Sequence, residues 1–317
     1  MDLLREILNK LDTLSGYEGV GGIRAAARHI EVAERHLSRG RHDQDDDAFN
    51  DVIYRTNQAF EGMLEEAYAI LFAPPAKKPT IHQIEQEFAS TGHVSGRVMM
   101  ALQRYRQEWR NPSTHDHTLL FSEQDALLSI LSVSAFATVL LDQIISCVSF
   151  RRQKSDLERQ KAQVSHAMAI YGEQDFDDQL VTLLMLYAKN MWDDAQVTAA
   201  NEAELVGGLN GFLTTIDSEL SVQQRALFDN READLVVMKR NVGAIIEVKR
   251  GGSSGYFLDA ASEQVRALLR LADLQLGFVF MPPRNREDFM AVTKLTWAGE
   301  DTQVIVVAPQ SYMPAET

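Results

Sequence analysis

Asp234 and the tripeptide Glu247-Val248-Lys249, with twelve residues between Asp234 and Glu247, put two carboxylates and an ammonium on what reads as one β-hairpin. Side chains alternate along a strand, so Glu247 and Lys249 share a face while Val248 turns to the core. Pairing across the turn at Lys239, Arg240 and Asn241 sets the Asp234 end of one strand beside the Glu247 end of the other. Two such carboxylates repel, and burying them without a counterion costs on the order of several kcal/mol. A divalent cation with oxygen ligands removes that cost. Mg²⁺, or Mn²⁺ in its place, suits a site with few protein carboxylates because water and phosphate oxygens complete its shell. The lysine then neutralises developing charge or holds the attacking water. These are the parts for metal-assisted hydrolysis of a phosphodiester.

The elements that must position them follow from hydrophobic period. Helices are expected over Leu3 to Leu14, about Ile23 to Leu37, about Asp47 to Phe72 and about Ile81 to Arg110, the last with a kink near Gly92 and Gly96 and a stop at Asn111-Pro112. The segment 73–80 carries three prolines and breaks the chain. Ser122 and Asp125 cap a long apolar helix to about Phe150. Residues 151–176 read as a charged helical connector, followed by helices over Asp177 to Ala195 and Glu202 to Ile216. Strands are expected at Ala233 to Met238, Val242 to Lys249, Gly277 to Met281 and Gln303 to Ala308, with a further strand near Arg225 to Asn230. Helices are expected at Leu258 to Leu274 and Arg286 to Leu295. The fold class is therefore an all-helical bundle, residues 1–150, and an α/β/α layered domain with a mixed sheet, residues 177–317.

The string Ala233-Asp234, twelve residues, Glu247-Val248-Lys249 resembles the signature of the PD-(D/E)XK, restriction-endonuclease-like, nuclease superfamily, with alanine in place of the usual proline. The resemblance covers roughly residues 177–310. It implies a Mg²⁺- or Mn²⁺-dependent DNA endonuclease in which Asp234 and Glu247 bind metal, Lys249 handles water, Glu202 assists and Gln264 orients the ligands or the DNA. Glu204 and Glu219 are alternatives to Glu202. All eight histidines precede residue 167, so the C-terminal chemistry rests on carboxylates and lysine.

Arg110-Asn111-Pro112-Ser113-Thr114-His115 lies between two long helices and resembles the motif of HEPN ribonucleases. That resemblance covers roughly residues 1–150 and implies metal-independent RNA cleavage in a homodimer, with Arg110 on the phosphate and His115, or His117 in its place, at the 2′-OH. Arginine grips phosphate bidentately and histidine titrates near neutral pH, so the chemistry is coherent. The other readings are a dimerisation or sensing module without activity, and a plain helix junction in which Arg110 serves the helix dipole. A non-catalytic assembly subunit is the third reading for the whole chain.

Composition narrows the setting. The 317 residues carry 31 Lys plus Arg against 45 Asp plus Glu, a net charge of −14, with 45% hydrophobic residues, which excludes disorder as the main state. Residues 173–229 hold two basic and eleven acidic groups, whereas 230–270 hold seven and five, and 97–110 hold four and one. Both proposed sites therefore fall in locally basic stretches, and affinity for bare nucleic acid is expected to be modest and salt-sensitive. The stretch Ala126 to Val148 is interrupted by seven polar residues and reads as too polar for a membrane span, and no signal-peptide core opens the chain. Cys147 reads as a small core residue, Gly251 to Gly255 as a flexible loop and Asp43 to Asp47 as a solvated turn. A cytoplasmic protein without membrane contact is expected, and the two resemblances together imply a defence effector held inactive until a regulatory partner protein or a signal releases it.

Overall fold

The computed structural model describes residues 2–72, 78–91, 94–115, 119–167, 171, 174–191, 201–250, 256–283 and 288–313. The chain divides into two compact units, Met1–Cys147 and Val148–Thr317.

The first unit is helical: α1 (Leu3–Thr13), α2 (Val20–Asp43), α3 (Asp47–Phe72), α4 (Ile81–Thr91), α5 (Gly96–Tyr105), a π-helical turn (Arg106–Arg110), α6 (Asn111–His115) and the first part of α7 (Glu123–Ala167). Asp2 caps α1 by accepting the Arg5 amide at 2.9 Å. Helices α2 and α3 approach closely where Gly62 faces Ala26, since a Cβ at Gly62 would stand 3.0 Å from that of Ala26. The core is aromatic at its centre, with Phe60 stacked on Tyr105 at 4.6 Å and tilted on Phe136 at 5.1 Å.

Three expectations fail here. The helix expected over 81–110 is two helices, the second started by Ser95, whose hydroxyl accepts the Val98 amide. Asn111-Pro112 does not stop it. The Asn111 amide reaches back five residues to the Arg106 carbonyl, and the wider turn lets helix continue through a proline that has no N–H to give. The long helix also passes for a membrane span by length and composition, with a window in Glu123–Glu158 of mean hydropathy 1.9, contrary to the reading that it is too polar. Of that window 61% is buried inside the protein, the burial of a core helix.

The second unit holds the end of α7, α8 (Phe176–Met191), α9 (Glu202–Ile216), β1 (Leu220–Phe228), β2 (Arg231–Lys239), β3 (Val242–Val248), α10 (Tyr256–Ala272), β4 (Leu276–Phe280), β5 (Met290–Thr296) and β6 (Gln303–Pro309). The sheet order is β1-β2-β3-β4-β6-β5. An antiparallel meander, β1 to β3, joins two parallel pairs, β3 with β4 and β4 with β6, and β5 closes the far edge antiparallel to β6. One face packs α8 and α9 together with Leu157 and Tyr171 against Leu235, Val237, Ala244, Ile246 and Val248. The other packs α10 against Ala226, Ala233, Val236, Ile245 and Val279. Leu157 is 2% exposed, so the segment expected as a solvated connector contributes to this core.

Residues Met290–Thr296 form a strand, not the expected helix. Val292 and Thr293 are β-branched, exposed and intermediate positions alternate from Val292 to Thr296, and the strand pairs residue for residue with β6. The first strand begins at Leu220, five residues before Arg225.

Gly277 sets the seat of α10 on the sheet. A Cβ there would lie 2.3 Å from Val265 Cγ1.

Candidate active site

The β2–β3 ladder runs from Lys239↔Val242 to Leu235↔Ile246 and stops there. Asp234 and Glu247 are the next residues on each strand. In place of a ladder bond, the Val248 amide donates to Asp234 Oδ2 at 2.8 Å. The β1–β2 register also skips one position, between Gln224↔Leu235 and Ala226↔Ala233, leaving Arg225 opposite Asp234. Ala233 and Val236 both pack toward α10 while Leu235 packs the other way, so regular alternation breaks at Asp234. Beyond this point β3 pairs only with β4, where the Lys249 amide donates to the Phe280 carbonyl at 2.8 Å.

Glu247 turns to the α10 face and is 2% exposed. Lys249 Nζ donates to Glu247 Oε1 at 2.6 Å, and Gln264 Nε2, from α10, donates to the same oxygen at 2.5 Å. Glu247 Oε2 is buried and has no partner among the described residues. Burial pushes the Asp234 carboxyl up to about 8, with the Glu247 charge adding to the rise and the Val248 amide opposing it. Burial raises Glu247 as well, against the pull of Lys249. Burial would lower the Lys249 ammonium, but the charge and hydrogen bond of Glu247 hold it above its ordinary value.

Glu202 is exposed at the start of α9, and its charge acts on all three groups. The alternatives have other work. Glu204 forms a capping box with Asn201, and Glu219 pairs with Arg240 at the opposite end of the hairpin. The structure thus brings together Asp234, Glu247, Lys249 and Gln264, with Glu202 near enough to be felt. Among the described residues no three His, Cys, Asp or Glu side chains form a ready-made cage. The fit to Mg²⁺ or Mn²⁺ rests on two carboxylates and the orphaned Glu247 oxygen, a donor set that matches a cation whose remaining ligands are water and phosphate.

In the first unit, Arg110 Nε donates to Glu61 at 3.0 Å, and Asn57 links the Ser113 and Tyr105 hydroxyls. Arg106 is tied to the buried Glu85. His115 ends α6 and its side chain lies outside the described part of the structure, as does His117. The Gly251 to Gly255 loop also lies outside the described residues.

Sequence reasoning did not single out two further features. At the far end of the hairpin a cavity of about 600 Å³ is lined by Tyr171, Gln179, Asp217, Lys239 and Val242 among others. On its wall Asp217 accepts from Tyr171 at 2.7 Å and from Lys239 at 2.8 Å. The second is Arg225, whose φ is 52° inside a strand. No residue-type pattern marks either, because both depend on which strand ends meet.

No family model, curated protein or solved structure matches the chain.

Proposed function

We propose that the second unit is a Mg²⁺- or Mn²⁺-dependent DNA endonuclease of the PD-(D/E)XK type. The observation that carries this reading is the meeting of Asp234, Glu247, Lys249 and Gln264 where the ladder opens, with one Glu247 oxygen buried and unmatched. The three-layer arrangement around a mixed sheet is what the resemblance implies. Asp234 and Glu247 would hold the metal, and Glu202 would add to the negative potential that attracts it. When bound, the metal supplies Lewis-acid stabilisation of the phosphate and a more acidic water. Lys249, oriented by Glu247, donates to the attacking water or to a phosphate oxygen. Gln264 fixes the rotamer of Glu247, and the Val248 amide fixes that of Asp234.

The helical unit, by its resemblance to HEPN modules, serves homodimerisation or sensing in a cytoplasmic defence effector held in check by a partner protein. Plasmid cleavage tests the reading. Mg²⁺-dependent cutting by the wild type, abolished in Glu247→Ala and Lys249→Ala, is expected, and full activity in both variants sinks it. RNA cleavage that survives EDTA and is lost in Arg110→Ala would instead place the activity in the first unit.

A further inference from the structure

Among the described residues five non-glycine residues have a left-handed backbone: Gln44, Arg225, Asp229, Arg240 and Asp273. Four of them have a local reason. Gln44 ends α2, Asp273 follows α10, and Asp229 and Arg240 lie in the tight turns between β1, β2 and β3. Arg225 alone sits within a strand, with φ 52°, at the position that the β1–β2 register skips. Such a conformation disfavours a side chain with a Cβ, and glycine would adopt it freely. Strain of this kind persists where the residue does something that the relaxed alternative cannot.

What the position gives Arg225 is its neighbour. Its backbone lies across from that of Asp234, about one strand spacing away, roughly 5 Å. Arg225 is half-buried, and its side chain has no hydrogen bond, ion pair or ring contact among the described residues. Two more arginines stand at this end of the sheet in the same unpaired state among the described residues: Arg231, which opens β2, and Arg250, two residues past β3. Elsewhere in this unit Arg240 is spent on Glu219 and Arg266 on Glu300. Three arginines without a carboxylate partner therefore share the end of the sheet that holds Asp234 and Glu247, Arg225 half-buried and Arg231 and Arg250 exposed. They make sense for a polyanion that must approach a negatively charged centre, because guanidinium matches phosphate oxygens in a planar, bidentate fork.

We infer that Arg225 is the residue that grips the DNA backbone phosphate at the Asp234–Glu247 centre, with Arg231 and Arg250 extending the same contact along the strand. The inference rests on the nuclease reading and names the side of the site from which DNA enters: the β1 edge, at the β1–β2 turn.

The test is affinity of the full-length protein for a short fluorescent DNA duplex in Ca²⁺, measured over a range of salt, for the wild type, Arg225→Gln, Arg225→Gly and the matched control Arg240→Gln. Loss of one phosphate contact should weaken binding and lower the slope of log Kd against log salt by about 1 in both Arg225 variants, and leave Arg240→Gln like the wild type. Arg225→Gly should also melt no lower than Arg225→Gln, since glycine relieves the left-handed backbone, and Mn²⁺ affinity should be unchanged in both. Equal affinity and slope in Arg225→Gly and wild type, with Glu247→Ala still abolishing cleavage, overturns the inference and leaves the nuclease reading standing. Loss of Mn²⁺ affinity or a collapse in melting temperature in both Arg225 variants overturns it too, because the arginine would then be a structural support. A wild type that neither binds nor cuts DNA overturns both.

Discussion

The Val248 amide donates to Oδ2 of Asp234 at 2.8 Å, so a carboxylate suited to metal also replaces a missing bond of the β-ladder. One residue thereby ends the pairing of two strands and begins the site.

That double role has a pH signature. Asp234 titrates near 8 in the folded protein and near 4 when unfolded, so the folded state holds a proton that the unfolded state has already lost. The stability linked to this proton is fully present below about pH 4, is lost as the pH rises toward 8, and stays lost above it. Metal-free protein should therefore melt about 5 °C lower at about pH 8 than at about pH 6. Asp234→Asn should flatten the dependence, and so should saturating Mg²⁺, which favours the ionised pair. Thermal denaturation followed by circular dichroism, with and without EDTA, checks it.

Gln264 touches Glu247 and reaches the centre only through it. Gln264→Leu should leave the fold intact and weaken Mn²⁺ binding about tenfold, the usual scale for losing a group that orients a ligand. Calorimetric titration of Mn²⁺ measures this directly. A carboxylate at the same position, Gln264→Glu, should titrate with Asp234 and Glu247 and shift the pH at which Mn²⁺ binds upward.

The far end of the hairpin is held by a different cluster. Burial alone would raise the Asp217 carboxyl, but bonds from Lys239, Tyr171 and the Glu219 amide keep it below its ordinary value. Its contribution to stability is present above the unfolded value near 4 and is lost as pH falls through the depressed folded value. Asp217→Asn leaves a largely buried Lys239 without its nearer countercharge, with only Glu219 at 3.9 Å, and should cost about 3 kcal/mol in urea unfolding at neutral pH. DNA cleavage per folded molecule should be unchanged, since the cluster sits at the other end of β2.

Much of this was legible in the residues. The alternation of Val242 to Lys249 placed Glu247 and Lys249 on one face, and the sheet keeps them there, 2.6 Å apart. Helices α3 and α9 begin and end where periodicity puts them. What failed depended on distant partners. Residues 290–296 have no strong period of their own and become a strand because β6 offers an edge. Pro112 reads as a stop, and only the preceding π turn makes it passable. Arg225 was invisible as a site residue because its meaning comes from a register skip against Asp234, which a single strand's sequence does not encode.

Gly277 carries no chemistry, yet Val265, the residue after Gln264, rests in the space its missing methyl leaves on β4. The distance between the amide donor and the Glu247 carboxylate is inherited from that gap. A lineage in which residue 277 drifted to alanine would keep every letter of the Asp234, Glu247, Lys249 and Gln264 set and still hold the last of them too far from the sheet. The heritable unit of this site is therefore larger than its reactive groups, and it includes an empty volume.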